Sequence, residues 1–571
     1  MIQTIDYFAI GPALLLALLA GLVLLLDAFL PRTPYVRTAL GLVTLAGVLG
    51  AGGLLGAQAV HGQTLQTFCV PKGLVASGPA PCSFVVDQFT LIFAGLALVA
   101  GAVVVLLSMT ELAEGGIPVG EWYFLLLCTL VGAVTLPASR DLIMLVVALE
   151  LVSLPVFALT ALRRYDGRSS EAAVKLFLVS VVSTAVMLFG VSLLYGMSGT
   201  VYLTQLRSVL AAGQVGGATA LGGAQGAGAA ASAGAQGAGA AALDSAQGAV
   251  SGGAGAGALG GVGTPMLEIV PQVPAVVTVG VVLVLAGFAF KIAAVPFHAW
   301  AADVYQGAPV PVAALLSVIS KAAGFAGLIL VLVSALSSQA PTWSPIIAIV
   351  SALTMSVGNL LALRQRSAVR LLAWSSVAQS GYILAPLAVI VGAREAAVSA
   401  SVAYLVFYAA MNLGAFAVVM LVSKAGGPNE IDDYRGLAYR SPVAALALAF
   451  CLICLAGLPP GLAGMFAKIV VFREIVAGGV GWLAVVMAVN TVIGLYYYVT
   501  WTARLFTPLK EARPATTAAL AGGGASGSGG SGSKGWRGRG AVATWVAVGL
   551  TLAVAVLFSV APQLVLDLAA L

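Results

Sequence analysis

The segment Phe290-Lys291-Ile292-Ala293-Ala294-Val295-Pro296 places an ionisable amine five residues before a proline, inside a long apolar stretch. Proline removes a backbone donor and collides with the preceding helical turn, so a helix that reaches Pro296 is interrupted there. A second interruption, Gly457-Leu458-Pro459-Pro460-Gly461-Leu462, precedes Lys468 in another apolar run. Broken helices inside a membrane are tolerated where the loosened backbone lines protein or water. The two segments therefore predict a membrane protein with an internal polar site.

The composition indicates the same class of protein. Of 571 residues, 61% are hydrophobic and 8% are charged, whereas water-soluble domains carry about 25% charged residues. In such a protein the net charge of +6 reflects loop residues that set topology, and it does not indicate a nucleic-acid partner. The first apolar run, 8–30, follows seven residues without Lys or Arg, so we interpret it as a retained span and not as a signal peptide.

Apolar runs of about 20 residues predict fourteen membrane spans. The two broken spans are the seventh and the twelfth, five spans apart, and a repeat with an odd number of spans must be inverted in its second copy. The sequence thus predicts an all-α integral membrane protein with two inverted five-helix repeats, spans 4–8 and 9–13. The fourteen spans lie near 8–29, 35–58, 83–108, 121–138, 140–162, 172–196, 274–302, 308–337, 342–362, 369–392, 396–423, 441–475, 478–508 and 541–566.

Two low-complexity segments separate parts of this arrangement. Residues 211–263 are mostly Gly, Ala, Gln and Ser, a composition that cannot order itself, and we expect a mobile external loop. Residues 509–540 are expected to form a flexible cytoplasmic linker, and both insertions are expected to be functionally neutral. The predicted parts are helices 1–3 (1–120), a first repeat (121–337), a second repeat (342–508), the linker and a C-terminal helix (541–571).

Basic residues are concentrated in the odd-numbered loops, which the positive-inside rule places in the cytoplasm. This predicts a multi-pass protein of a bacterial cell membrane with both termini outside. The odd-numbered loops contain Arg32, Arg37, Arg163, Arg164, Arg168, Arg364, Arg366, Arg370, Lys424, Arg435 and Arg440, and the even-numbered loops contain Lys72, Arg140, Arg207 and Arg394.

Five charged residues lie inside the predicted spans: Glu150, Lys175, Lys291, Lys321 and Lys468. A charge at bilayer depth costs about 2.5 kcal/mol or more on insertion scales, so such residues usually mark a pathway. A static ion pair is the alternative for Glu150, and snorkelling to the interface is the alternative for a single lysine. Four lysines in separate spans, two of them beside helix breaks, favour a path for protons or small cations.

Lys175, one span further on, is the leading predicted partner of Glu150, although Glu171 competes for it four residues before on the same helix. Lys291 is expected to change its protonation state when its partner moves. For His298 two roles stay open, a proton relay near neutral pH or a hydrogen bond to the broken helix. Asp303 is expected to structure a cytoplasmic loop.

Other chemistry has little support in the sequence. Cys451 and Cys454 lie in an apolar helix, where packing is the simpler interpretation, and Cys69 and Cys82 share a polar loop in which a disulfide is one possibility. We find no dinucleotide fingerprint, P-loop, cysteine-cluster motif or paired-histidine haem site. The chain is therefore expected to bind no NADH, ATP, flavin, iron–sulfur cluster or metal ion itself, and energy must come from elsewhere.

These motifs carry a family resemblance. Phe290-Lys291, Val295-Pro296-Phe297-His298-Ala299-Trp300 and Ser320-Lys321 resemble the proton-conducting membrane subunits of respiratory complex I and the related Mrp-type cation/proton antiporters. Glu150-Leu151-Val152-Ser153-Leu154-Pro155 and Glu171-Ala172-Ala173-Val174-Lys175 are most similar to the subunit N group of NADH–quinone oxidoreductases. The similarity runs from about residue 80 to 505.

The resemblance implies a proton-translocating subunit in which Glu150 pairs with Lys175, Lys291 switches, and Lys321 and Lys468 continue the path. It implies NADH, FMN, iron–sulfur clusters and quinone in other subunits, and other complex I membrane subunits and the bilayer as partners. A Mrp-type antiporter subunit and a non-conducting structural subunit are the alternatives. The chain departs from many relatives at Gln379, where they have His, and Gln cannot titrate.

Overall fold

The structure is a computed structural model of the full chain. It describes residues 5–31, 33–71, 73, 80–113, 115–163, 166–212, 275–389, 394–424, 429–508 and 541–570. The predicted external loop 211–263, apart from its first two residues, and the predicted linker 509–540 lie outside the described residues.

The described chain is mostly helical, with 83% of residues in helices, and eleven of the described helices are long and apolar enough to cross a membrane. Residues 203–212 are also helical, and one turn forms at Leu437–Arg440. The helices are α1 (Gly11–Phe29), α2 (Pro34–His61), α3 (Gln88–Ala113), α4 (Val119–Thr135), α5 (Leu142–Ala161), α6 (Gly167–Ser198), α7 (Ala275–Lys291), α8 (Trp300–Gly307), α9 (Val310–Leu315), α10 (Lys321–Ile329), α11 (Ala340–Ala362), α12 (Ala368–Leu384), α13 (Arg394–Lys424), α14 (Pro442–Ala456), α15 (Leu462–Ala477), α16 (Gly481–Phe506), α17 (Ala541–Val560) and α18 (Gln563–Ala569).

Both predicted helix breaks are present. α7 ends at Lys291 and the chain resumes a helix only at α8, with a cis Val295–Pro296 peptide bond between them. α14 ends at Ala456 and is followed by Gly457, whose φ of 83° is left-handed, and α15 follows a cis Pro459–Pro460 bond. A left-handed glycine at this position is the usual way to end a helix, because glycine has no Cβ to clash. The proline-based prediction of interrupted spans is confirmed at both sites.

Three elements were not predicted. Strands β1 (Leu65–Cys69) and β2 (Cys82–Val86) form an antiparallel hairpin, so the all-α expectation is wrong for this loop. A Cys69–Cys82 disulfide joins the two strands. The C-terminal span also ends early, at Val560, and Pro562 precedes the separate helix α18, because proline disrupts a continuing helix.

The helices differ in how far protein surrounds them. Among the 18 most apolar consecutive residues of each helix, all are buried in α13 and 94% are buried in the segment Val310–Ala335. In α6 only 22% of these residues are buried. α13 contacts α12, α14, α15, α17 and α18. Two π-helical segments, Leu316–Ser320 and Leu330–Ala335, interrupt the buried segment around α10. Such segments are frequent at functional sites, and the first one directly precedes Lys321.

Gly464 of α15 lets this helix pack directly against the backbone at the end of α14. A Cβ at this position would lie 1.6 Å from the carbonyl oxygen of Cys454 in α14. We expect Gly464→Ala to lower the amount of assembled protein severely, because the added Cβ would collide with backbone, which cannot move aside as a flexible side chain can. Overpacking typically costs about 1–3 kcal/mol and occasionally more. The measurement is the level of folded protein in membranes and its melting temperature in detergent.

Gly549→Ala is the matched control for this prediction. Gly549 lies in the apolar helix α17, and nothing lies within 4 Å of a Cβ added there. We expect wild-type levels for this variant. Equal levels of the Gly464 and Gly549 variants would contradict the packing between α14 and α15.

Candidate functional site

Glu150 and Lys291 form an ion pair inside the helix bundle. α5 carries Glu150, α7 ends at Lys291, and 3.0 Å separates Lys291 Nζ from Glu150 Oε1. The lysine side chain is 5% exposed and the glutamate 21% exposed. The interrupted helix therefore presents its terminal amine to a carboxylate on a neighbouring helix.

Hydroxyl groups complete this ion pair. An ammonium has three N–H donors, and Lys291 Nζ directs the other two to Ser153 Oγ at 2.7 Å and Ser180 Oγ at 3.2 Å. Thr184 Oγ1 donates to Glu150 Oε1 at 2.6 Å. A buried ion pair is tolerated only when its remaining protons and lone pairs are satisfied. These three hydroxyls were not predicted from the sequence, although the spacing of Ser180 and Thr184 by four residues places them on one helix face.

Lys175 does not pair with Glu150. Its Nζ lies 2.7 Å from Glu171 Oε1 and 3.2 Å from Asp303 Oδ2. The prediction that Lys175 is the leading partner of Glu150 is therefore wrong for this structure. Thr184, the α6 residue that does bond Glu150, lies roughly 13 Å further along the helix than Lys175, at 1.5 Å per residue. Lys175 instead lies near the start of α6, where Glu171 and Asp303 are closer.

Asp303 joins two helices at a polar cavity. Its carboxylate binds Lys175 of α6 and, through Oδ1, Nη1 of Arg370 in α12 at 3.1 Å. Arg370 Nη1 also donates to Gln306 Oε1 at 2.9 Å. The role of Asp303 thus extends beyond the predicted structuring of one loop. The cavity has a volume of about 310 Å³ and is lined by Arg168, Glu171, Ala172, Lys175, Asp303, Gln306, Gly307 and Arg370.

The break between α7 and α8 is fixed by side chains from other helices. The backbone N–H of Val295 donates to Thr354 Oγ1 of α11 at 3.0 Å. The ring of His298 lies 5.6 Å from that of Trp374, and its Nδ1 is buried without a hydrogen-bond partner among the described residues. Both roles predicted for His298, the proton relay and the hydrogen bond to the broken helix, therefore remain predictions.

Lys321 is buried and has no ion-pair partner in the described part of the chain. Its Nζ donates to the carbonyl oxygen of Ser376 and to Ser380 Oγ at 2.8 Å. Ser380 Oγ in turn donates to the carbonyl oxygen of Ile292, at 2.8 Å. Ile292 follows Lys291 directly, so one serine links the surroundings of the two buried amines.

Lys468 is stabilised by the end of a helix. Its Nζ donates to the carbonyl oxygens of Ala456 at 2.6 Å and Leu455 at 3.2 Å. These are the last residues of α14, and a cation is favoured at a helix C-terminus, where carbonyl groups are unsatisfied and the helix dipole is negative. No carboxylate pairs with Lys468 among the residues that the structure describes.

Buried tyrosine, serine and amide side chains occupy the region between Lys321 and Lys468. This network was not predicted from the sequence. A signal was available, because Tyr404, Tyr408 and Asn412 recur every four residues in α13 and Ser375 and Gln379 do so in α12. The groups are Asn359, Ser375, Ser376, Gln379, Ser380, Tyr382, Tyr404, Tyr408, Asn412, Asn490, Tyr497 and Tyr498.

No three His, Cys, Asp or Glu side chains converge in the described residues to form a candidate metal site. The groups that do converge are amines, one carboxylate, hydroxyls and amides. Such groups can hold, accept and pass protons.

The membrane-domain family of NADH:quinone oxidoreductase and Mrp antiporters matches residues 139–229 and 268–494. NADH-quinone oxidoreductase subunit N 2 of Streptomyces griseus is 45% identical over 522 residues, which cover 90% of this chain and 85% of the relative.

Two solved structures are similar along almost the whole chain. A chain of respiratory complex I from Thermus thermophilus is 27% identical with a TM-score of 0.64, and the match covers 98% of this chain and 99% of that one. A chain of the Mrp complex from Dietzia sp. DQ12-45-1b is 20% identical with a TM-score of 0.69, covering 97% and 96%. The second similarity concerns the fold alone.

Proposed function

Since the chain belongs to the NADH-quinone oxidoreductase subunit N group of the NADH:quinone oxidoreductase/Mrp antiporter family, we propose that it translocates protons through Glu150, Lys291, Lys321 and Lys468 while electrons pass from NADH to quinone in other subunits. The observation that carries this proposal is the buried Glu150–Lys291 pair, at the end of an interrupted helix and one serine away from Lys321.

The proposed step begins with Glu150. When quinone reduction in a neighbouring subunit moves this carboxylate away from Lys291, the buried ammonium loses its counter-charge. A buried charge that loses its partner is destabilised by about 3–5 kcal/mol, so the proton leaves Lys291 in the direction of Lys321.

NADH, FMN, iron–sulfur clusters and quinone are proposed to be bound by other subunits, and this chain contributes amines, hydroxyls and a carboxylate. The partners are other membrane subunits of the complex and the bilayer. The bilayer is that of a bacterial cell, with both termini on the outside.

We further propose fourteen crossings and two inverted repeats, residues 121–337 and 342–508. Three further crossings add to the eleven long apolar helices. Two are the interrupted spans, which begin with the shorter apolar helices α7 and α14, and the third is α12. In each proposed repeat the fourth span is broken and carries a lysine, Lys291 before one break and Lys468 after the other.

The test uses inverted membrane vesicles from cells with and without this chain. We expect NADH-driven proton uptake to be lost without the chain and restored by its expression, with no dependence on sodium. NADH-driven uptake that persists without the chain would contradict the proposal. Proton movement driven by a sodium gradient in the absence of NADH would instead support the antiporter alternative.

A further inference from the structure

The buried polar groups of α12 and α13 meet in two successive contacts, which we call the tyrosine ladder. Ser376 Oγ lies 2.8 Å from the hydroxyl of Tyr408, and the hydroxyl of Tyr404 donates to Gln379 Oε1 at 2.6 Å. These four side chains are at most 2% exposed. The path proposed above contains no group between Lys321 and Lys468, and the tyrosine ladder lies between these two amines.

Gln379 fixes the direction of its hydrogen bonds. An amide oxygen only accepts and an amide nitrogen only donates. The oxygen therefore takes the hydroxyl proton of Tyr404, while Nε2 donates to the hydroxyl oxygen of Tyr498 at 3.4 Å. Tyr498 in turn lies 2.6 Å from Ser375 Oγ. With its proton held by Gln379, the Tyr404 oxygen keeps both lone pairs for a further donor.

The two amines lie at the ends of the tyrosine ladder. Lys321 Nζ bonds Ser380 and the carbonyl of Ser376. Lys468 Nζ lies 5.7 Å from the centre of the Tyr382 ring, which stacks on Tyr404 with 6.0 Å between centres. Successive contacts of the tyrosine ladder are one helical turn apart, roughly 6 Å, a gap that a single bridging water can span.

We propose that Gln379 is a positioning residue that turns the Tyr404 hydroxyl into a neutral acceptor for a protonated water passing between Lys321 and Lys468. The proton leaves the Lys321 ammonium, which becomes an amine, crosses as a hydronium ion, and converts the Lys468 amine to an ammonium. No tyrosine gains or loses a proton. A proton therefore crosses this region without protonating a side chain. A titratable residue in the same position would instead take up the proton.

The charges around the tyrosine ladder agree with this role. Lys321 from α10 and Lys468 from α15 face it, together with the hydroxyls of Tyr382, Tyr404, Tyr408 and Tyr498 from α12, α13 and α16. Within the described ranges no carboxylate pairs with either lysine. A hydronium ion therefore finds neutral oxygen acceptors here and no anion that would trap it.

Tyr404→Phe is the first test. It removes one acceptor for the passing charge, and we expect NADH-driven proton uptake to fall about tenfold, the effect of losing one hydrogen bond to a charged group. Tyr434→Phe is the matched control, because this buried phenol also donates to a side-chain amide oxygen, that of Asn429 at 3.3 Å, but lies in the segment between α13 and α14 and outside the tyrosine ladder. Uptake that is equal in the two variants, at equal levels of assembled complex, would overturn the proposal.

Gln379→His is the second test, and it tests the proposed role of Gln379 even if the Tyr404→Phe complex does not assemble. Histidine can serve both tyrosines, so we expect assembly and uptake near the wild-type rate at pH 8. Below about pH 6.5 the imidazole is charged, and uptake should fall more steeply with acidity than in the wild type. A pH profile identical to that of the wild type would place Gln379 off the path.

This inference rests on the proposed function, and the two fail differently. If wild-type vesicles show no NADH-driven uptake that depends on this chain, the proposed function fails. If the wild type pumps and both variants behave as controls, the role of the tyrosine ladder alone fails.

Discussion

Lys291→Ala is expected to abolish NADH-driven proton uptake and to slow NADH–quinone turnover by at least about tenfold, because the proton path loses the amine that contacts Glu150, Ser153 and Ser180. Turnover should fall with pumping, since a coupled complex cannot complete its cycle when a proton step is blocked. The measurement compares both rates in inverted vesicles at matched levels of assembled complex.

Arg364→Ala is the control for this experiment. It also removes a positive charge, but from an exposed residue just beyond the end of α11, and both rates should stay at the wild-type level. Normal pumping by an assembled Lys291→Ala complex would refute the role of the amine and favour the non-conducting structural subunit. Loss of pumping in both variants would show that removing a positive charge elsewhere also stops pumping, and it would assign no special role to Lys291.

The charged residues of the site could be predicted from the sequence, but their pairing could not. A lysine in an apolar run is visible without a structure, and so is a Pro-Pro break before Lys468. Which carboxylate meets Lys291 depends on the depth and rotation of α5, α6 and α7 against one another. Those relations arise from packing between helices that are distant in sequence, so Lys175, the nearer residue in the chain, was the wrong choice for Glu150.

The parts of the fold that were missed have a similar explanation. The Cys69–Cys82 hairpin is a short polar segment among long apolar runs, and its strands are only five residues each. The helix α18 follows Pro562 within what read as one continuous span. Both depend on contacts made at the ends of spans, where apolar periodicity carries little information.

The two broken helices stabilise their amines by different means. Lys291 has a carboxylate on another helix, which can move relative to it, whereas Lys468 bonds the carbonyls at the end of α14, directly before its own break. A displacement of α5 therefore changes the charge balance at Lys291 and leaves the contacts of Lys468 unaltered. This difference fits the proposed function, in which the first broken helix would receive the coupling signal and the second would respond to arriving protons.

Glu150→Ala is expected to destabilise the protein as well as to stop pumping. The substitution leaves the Lys291 ammonium buried without its counter-charge, and breaking a buried pair from one side costs about 3–5 kcal/mol. The melting temperature of the purified complex should fall clearly. The double variant Glu150→Gln with Lys291→Met removes both charges, so we expect it to recover much of the melting temperature while pumping stays absent.

Glu171→Ala provides the comparison within the same chain. Glu171 also pairs with a lysine, Lys175, but both side chains are largely exposed, at 65% and 45%, and exposed pairs contribute little to stability. We expect the melting temperature of this variant to remain near that of the wild type. If the double variant at Glu150 and Lys291 were as unstable as Glu150→Ala, the loss would come from packing and not from an unpaired charge. If it recovered both stability and pumping, the ion pair would hold helices together without taking part in proton transfer.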